Sequence, residues 1–430
     1  MTLLGRKPVF IVVIAVLFTT LFSFLNLNSY CLILLLVCRF FLDGPLTTLK
    51  TAFTNKFFLA YFAFCLIETA GLLHTHNLHA GFNIMAKDAT LTVIAFVFCA
   101  GPFANESEYR RLITVYTLLV FSASFYCLGM AFRLYLLRKD PSVFFYHPLT
   151  VPISQNAVFY SVYVLFALQF LLFTKGALQI DFLSVKMRKL CRVFLILFFL
   201  LMIVLLSSKL ILVIALLMLI SFFFHYSWKN TRALVLSGSI GVCLVIGLVF
   251  TDNPVRERFT KMVEGDAITF QGELNPGSNF NALQLRTLEW RFAIDILNAH
   301  HGWLFGVSPG DSQDLLDGKY IASNMYIGNP ADGPHRKVRG FIGYNFHNQF
   351  IETLVRTGVI GLVSLLVIFW LLAGMVWQWK TKETFFTVLT LVAFFIPQSP
   401  LTMQHGIFLF CFFPLLLLYS PKKVPTAPGY

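Results

Sequence analysis

Residues 345–377 read NFHNQFIETLVRTGVIGLVSLLVIFWLLAGMVW. Within one stretch the chain passes from the polar group Asn345-Phe346-His347-Asn348-Gln349 into an apolar run centred on 357–377. A spanning helix needs about 20 mainly apolar residues, because ~30 Å of hydrocarbon offers no water to unpaired backbone groups. The second half of the stretch meets that requirement, so the fold is decided in lipid.

Working outward, further apolar runs are centred on 8–24, 30–43, 57–73, 90–104, 112–130, 157–174, 190–206, 210–225, 233–251, 384–397 and 406–420. Composition agrees: 57% of the residues are hydrophobic, only 12% are charged and 49 are Phe, which no ordinary soluble domain carries. The expected fold is all-α, a polytopic membrane helix bundle of about twelve transmembrane helices with one large, partly helical periplasmic loop. Residues 1–251 would hold spans one to nine, 252–348 the loop, and 349–430 spans ten to twelve with a cytoplasmic C-terminus. A ten-span alternative loses one pair before the loop. The first run follows Arg6-Lys7 as a signal peptide would, but no small-x-small cleavage site follows. An uncleaved first span, with the mature chain starting at or near Met1, is the expectation.

Basic residues orient the bundle. With both ends in the cytoplasm, Lys50, Lys56, Arg110, Arg111, Lys186, Lys189, Lys229, Arg232, Lys380, Lys382, Lys422 and Lys423 fall inside, as the positive-inside rule requires. Arg133, Arg138 and Lys139 fall outside and run against it. The net charge of +13 is explained by these ends and calls for no nucleic acid. All eight cysteines lie in or beside apolar runs, without a C-x-x-C pair, and read as small packing residues.

The polar segment 252–348 is too long to be a mere connection. Leu285, Leu288, Phe292, Ile296 and Leu297 repeat at helical spacing, predicting an amphipathic helix over 283–299 with Arg286 near its start and Trp290 one turn on. Gly302, Gly306, Pro309 and Gly310 then break regular structure, and the segment reads as loop-like until a helix resumes over 344–355.

Chemistry is expected in this segment. His347 sits at the membrane boundary among Asn345, Asn348 and Gln349, and histidine is the side chain whose ordinary pKa lies near neutrality. It is either a general base or a histidine hydrogen-bonded at a helix start. Arg286 and Arg291 are five residues apart and point to different helix faces, so only one reaches the same site as His347; Arg286 is the better placed. Lys209, after Ser207-Ser208 at the outer boundary, either snorkels into headgroups or holds an anion. Arg39 and Glu68, the ionisable residues deepest in predicted spans, read as a structural pair. His74, His76 and His79 lack the acidic or Cys companions of a zinc site, and no metal is expected. The basic cluster of His335, Arg336, Lys337 and Arg339 reads as solvated. No G-x-x-x-x-G-K-[ST], H-E-x-x-H or G-x-S-x-G motif occurs, which disfavours an ATPase, a zincin and a serine hydrolase.

The combination of Arg286 with Trp290, then His347-Asn348 with Glu352, Gly358 and Gly361, after many spans and one late loop, resembles the bacterial O-antigen ligase family. The resemblance covers about 205–365. It implies a metal- and nucleotide-independent transfer of a glycan from an undecaprenyl diphosphate carrier to a sugar hydroxyl of lipid A-core, at the periplasmic face of the inner membrane. His347 and Arg286 would be catalytic; Lys209, Arg286 and Arg291 would bind diphosphate; Trp290, Asn345 and Asn348 would support them. Lys209 stands where that family usually has Arg, and a lysine lacks the bidentate fork that arginine offers a phosphate. An O-antigen polymerase fits the same residues. A transporter would need broken helices in corresponding halves, and Gly101-Pro102 and Pro397-Gln398-Ser399-Pro400 lack that correspondence.

Overall fold

The computed structural model describes residues 7–101, 104–227, 280–328 and 340–419, with Leu274, Pro276 and Ser278. Among them every regular element is helical. The chain runs through α1 (Lys7–Leu21), α2 (Leu25–Asp43), α3 (Pro45–Phe53), α4 (Lys56–Ala70), α5 (Leu78–Cys99), α6 (Glu106–Arg138), α7 (Tyr146–Thr150), α8 (Ala157–Phe173), α9 (Val185–Leu206) and α10 (Lys209–Ser227). After the undescribed stretch come α11 (Ala282–Ala299), α12 (Ser312–Ala322), α13 (Gln349–Trp379), α14 (Lys382–Phe395) and α15 (Gln404–Leu416).

Every apolar run except the ninth, 233–251, falls on a helix; that one lies outside the described residues, as do the basic cluster at 335–339 and most of the segment 252–277. Five of these helices are long and apolar enough to cross a membrane, or seven if each of two sharply bent pairs is one span, and three shorter apolar helices accompany them. The protein is a multi-pass helical membrane protein. The bundle is organised around α8, whose residues are almost all buried between α6, α9, α10 and α14. An aromatic cluster fills its contact with α15: the Phe166 and Phe413 rings lie 4.4 Å apart, and Tyr116 and Phe170 pack on the same Phe413 ring.

Three sequence expectations about helix bounds need correction. α5 begins at Leu78 rather than near 90, because Asn77 caps it by accepting from the Ala80 amide. Residues 312–322, read as loop, form α12; its buried face is little more than Leu316 and Tyr320, too short a pattern to register as periodic. Residues 344–348 are not helical: His347 takes a left-handed φ of +48, Asn348 is extended at φ −156, and the helix starts only at Gln349 with Asn348 as its cap.

Arg39 and Glu68 do not pair. Arg39 lies near the end of α2 and donates to the carbonyl of Gly101 beyond the end of α5, whereas Glu68 lies near the end of the antiparallel-running α4, beside Thr357. Hydropathy ranks both as deep but does not say toward which end of the bundle. The charge facing Glu68 is Arg356, which bonds Glu352 at 2.8 Å and also acts on Asp88. This group ties α4, α5 and α13 together.

The segment before α12 completes α13. Gly358 takes φ +67, ψ −163 inside that helix, which interrupts its hydrogen bonding. The amides of Val359 and Ile360 are taken up by the carbonyls of Trp303 and Leu304, while the Val307 and Ser308 amides donate to Val355 and Arg356. The two backbones approach so closely that a Cβ on Gly358 would lie 2.2 Å from the Leu304 carbonyl oxygen, and one on Gly306 2.2 Å from that of Arg356.

Candidate active site

α11 is the frame of the site. Asn281 caps it by accepting from the Leu283 and Gln284 amides, while Gln284 accepts from the Asn281 amide, so its first turn is satisfied on both sides. The face formed by Leu288, Phe292, Ala293, Ile296 and Leu297 is buried, and Glu289 lies on it. A buried carboxylate must be paired or hydrogen-bonded. Glu289 is both: its Oε1 accepts from the Tyr320 hydroxyl of α12 at 2.9 Å, and its Oε2 faces His347 Nδ1 at 2.9 Å.

His347 is fixed from several directions. Its amide donates to Asn345 Oδ1 at 3.0 Å, the Phe346 carbonyl accepts from Trp290 Nε1 at 3.0 Å, and the Phe346 amide donates to Glu352 Oε2 at 3.3 Å. Asn348 accepts from the Phe350 and Ile351 amides at the start of α13. With Nδ1 donating to the carboxylate, Nε2 is the basic nitrogen. It makes no hydrogen bond among the described residues, and the side chain is 25% exposed.

The connection between α14 and α15, residues 396–403, forms the platform on which these pieces meet. Pro397 O accepts from Arg286 Nε at 3.2 Å; Ser399 Oγ accepts from the Asn348 amide at 3.1 Å; the Leu401 amide donates to Gln349 Oε1 at 2.8 Å. Asn345 Nδ2 reaches Thr402 Oγ1 at 3.4 Å. Arg286 also bonds its own helix, Nη1 to the Ala282 carbonyl at 2.9 Å. Burial lowers its pKa and the Glu289 carboxylate pulls the other way, as does the hydroxyl of Tyr146; a guanidinium stays charged throughout. Arg286, on the Pro397 carbonyl, and the His347 turn, through Asn345 on Thr402 and Asn348 on Ser399, therefore meet on this platform.

Lys209 opens α10, half-buried. Lys382 at the start of α14 donates to the Ser221 carbonyl of α10, so the two helices run antiparallel. At about 1.5 Å per residue, Lys209 lies ~18 Å from Ser221 and Phe395 ~20 Å from Lys382, which puts Lys209 level with the platform at Pro397. Arg291 is exposed and about 140° round α11 from Arg286, so the structure does not bring it to His347. The loop after Arg138 and Lys139 lies on the site's side, since Tyr146 acts on Arg286.

Sequence reasoning passed over Glu289, Tyr320 and the platform. Glu289 did carry a signal: it falls in line with Leu285, Phe292 and Ile296, and an acid on an apolar helix face asks for a partner.

A second anchor holds the 282–348 region on the bundle. Asp311 accepts from the His76 and Asn77 amides at 2.8–3.0 Å and from Thr75 Oγ1 at 3.2 Å, while Pro309 and Gly310 press on Gly71 and Gly81. The segment rich in histidine thus binds a carboxylate through its backbone. Burial by itself raises the Asp311 pKa, but the amides of His76 and Asn77 and the hydroxyls of Ser308 and Thr75 outweigh it and hold it below the ordinary value. A depressed carboxylate stabilises the fold above its unfolded pKa, ~3.9, and that contribution disappears as pH falls through the lower folded value. Asp311→Ala is expected to cost about 3 kcal/mol near neutral pH. Melting in detergent checks this: the gap between the two proteins should be steady from neutral to mildly acidic pH and should close below ~3.9.

Among curated proteins none matches the chain. Residues 193–366 match the family model described as O-antigen ligase. The matched segment contains Lys209, Arg286, Glu289, Trp290, Tyr320 and His347, and stops short of the platform. Over that segment the chain is similar to the O-antigen ligase family.

Proposed function

We propose that this protein is an O-antigen ligase: a lipid-carrier-dependent glycosyltransferase of the bacterial inner membrane whose site faces the periplasm. The donor is a glycan on undecaprenyl diphosphate and the acceptor a sugar hydroxyl of lipid A-core. The observation that carries this reading is the Glu289–His347 pair, with Nδ1 tied down and Nε2 open.

A sugar hydroxyl is a weak nucleophile, and a base that takes its proton as the new bond forms raises its reactivity. His347 Nε2 accepts that proton. The hydroxyl oxygen bonds to the anomeric carbon, the bond from that carbon to the phosphate oxygen breaks, and the diphosphate leaves with the electron pair. The imidazolium so formed is paired with buried Glu289. Arg286, held on the platform, and Lys209, level with it, offset the charge growing on the diphosphate. Attack without a covalent carboxylate intermediate inverts the anomeric configuration.

The test is purified protein in liposomes with carrier-linked glycan and lipid A-core. Expected is an inverted linkage by NMR, retained in EDTA, with Arg286→Ala slowing transfer by about 10²-fold. Retention of configuration would remove the mechanism. Chain extension on the carrier itself, with lipid A-core left untouched, would make the protein a polymerase of the same family.

A further inference from the structure

Trp303, Leu304 and Phe305 form a turn whose three side chains are exposed by 43%, 52% and 62%. Consecutive large apolar side chains on a turn need a partner. The turn is not out in the loop: the carbonyls of Trp303 and Leu304 bind the amides of Val359 and Ile360, which fixes it beside α13 at the level of Gly358.

α13 changes character at that level. Among residues 349–358 none is exposed, and Glu352, Thr353, Arg356 and Thr357 are buried against protein. From Val359 onward an exposed apolar stripe begins, continuing through Ile360, Val363, Leu366, Val367 and Trp370. From Val359 to Trp379 the helix runs ~30 Å, the thickness of the hydrocarbon core. Its lipid-facing length therefore starts where the turn is seated, and the apolar surface of the turn continues that of the helix.

We infer that residues 303–305 are an interfacial membrane anchor, seated at the boundary between headgroups and acyl chains on the site's side of the bilayer. The indole suits that depth, because Trp303 Nε1 already donates to Asn298 Oδ1 at 2.9 Å and its ring is free to lie among lipids. The sequence placed this stretch in water. As an anchor it adds a lipid contact to the protein contacts that hold this region on the bundle, at Arg286 on Pro397 and at Asp311 on His76 and Asn77.

The experiment is fluorescence of the full chain in liposomes, with Trp303→Phe subtracted from the unmodified protein to isolate one indole. Phe305→Trp adds a second emitter at the same turn. Expected is a blue-shifted component that loses most of its intensity to lipids brominated near the headgroup and little to aqueous iodide. A red-shifted component quenched by iodide would place the turn in water and overturn the inference. Insensitivity to both quenchers would overturn it as well, by showing that protein, such as a second copy, covers the turn.

Discussion

His347→Ala is expected to lower glycan transfer by about 10²- to 10⁴-fold, the range that a positioned general base contributes. The variant should fold, since the imidazole is partly exposed and the main fixings of the loop are backbone groups: the Phe346 carbonyl on Trp290, the Phe346 amide on Glu352 and the Asn348 cap. Glu289→Gln beside it separates base from orienter. A glutamine keeps the shape, but its amide nitrogen can donate to Nδ1 and move the ring proton to Nε2, the nitrogen needed as base. Activity should fall at least about tenfold with little change in substrate affinity. The readout is turnover in liposomes at matched protein, with lipopolysaccharide ladders of a complemented deletion strain alongside. Full activity in His347→Ala would end the assignment of the base and leave the histidine a fixture at a helix start.

The largest loss of stability is expected from Gly358→Ala. Its φ of +67 with ψ of −163 belongs to glycine alone, and the added methyl would be driven into the Leu304 carbonyl. Backbone strain and the clash together should cost roughly 3 kcal/mol or more. Neither side can give way without losing the bonds from Val359 and Ile360 that close the break. Gly374→Ala, on the same helix with nothing within 4 Å of its built Cβ, is the control and should melt as the parent does. Equal melting temperatures for all three proteins in detergent would mean that the break is not a fixed feature.

What could be read from the chain beforehand depended on where the information resides. The bundle was visible because twenty apolar residues in a row admit few other structures. Arg286, Trp290, His347 and Asn348 were visible because their types and spacing are unusual for a membrane protein. Glu289 was not, since its role is set by a histidine far along the sequence, although its helix face pointed to a buried acid. The platform was invisible for a different reason: it acts largely through the Pro397 carbonyl and the Leu401 amide, and every residue has a backbone. The supposed pairing of Arg39 with Glu68 failed because hydropathy gives depth without saying from which face it is measured.

The platform also bears on how the protein is made. By the time α13 has left the ribosome, the chain holds Lys209, Arg286, Glu289, Tyr320 and His347, yet nothing for Arg286, Asn345 or Asn348 to rest on. The supports at Pro397, Ser399 and Thr402 are translated some fifty residues after His347 and arrive only once α14 and the connection after it have been made and packed. On the proposed function, the nascent chain would therefore lack its supported site until its last helices are in place, and a chain cut after α13 would carry all five of those side chains without the groups that position them.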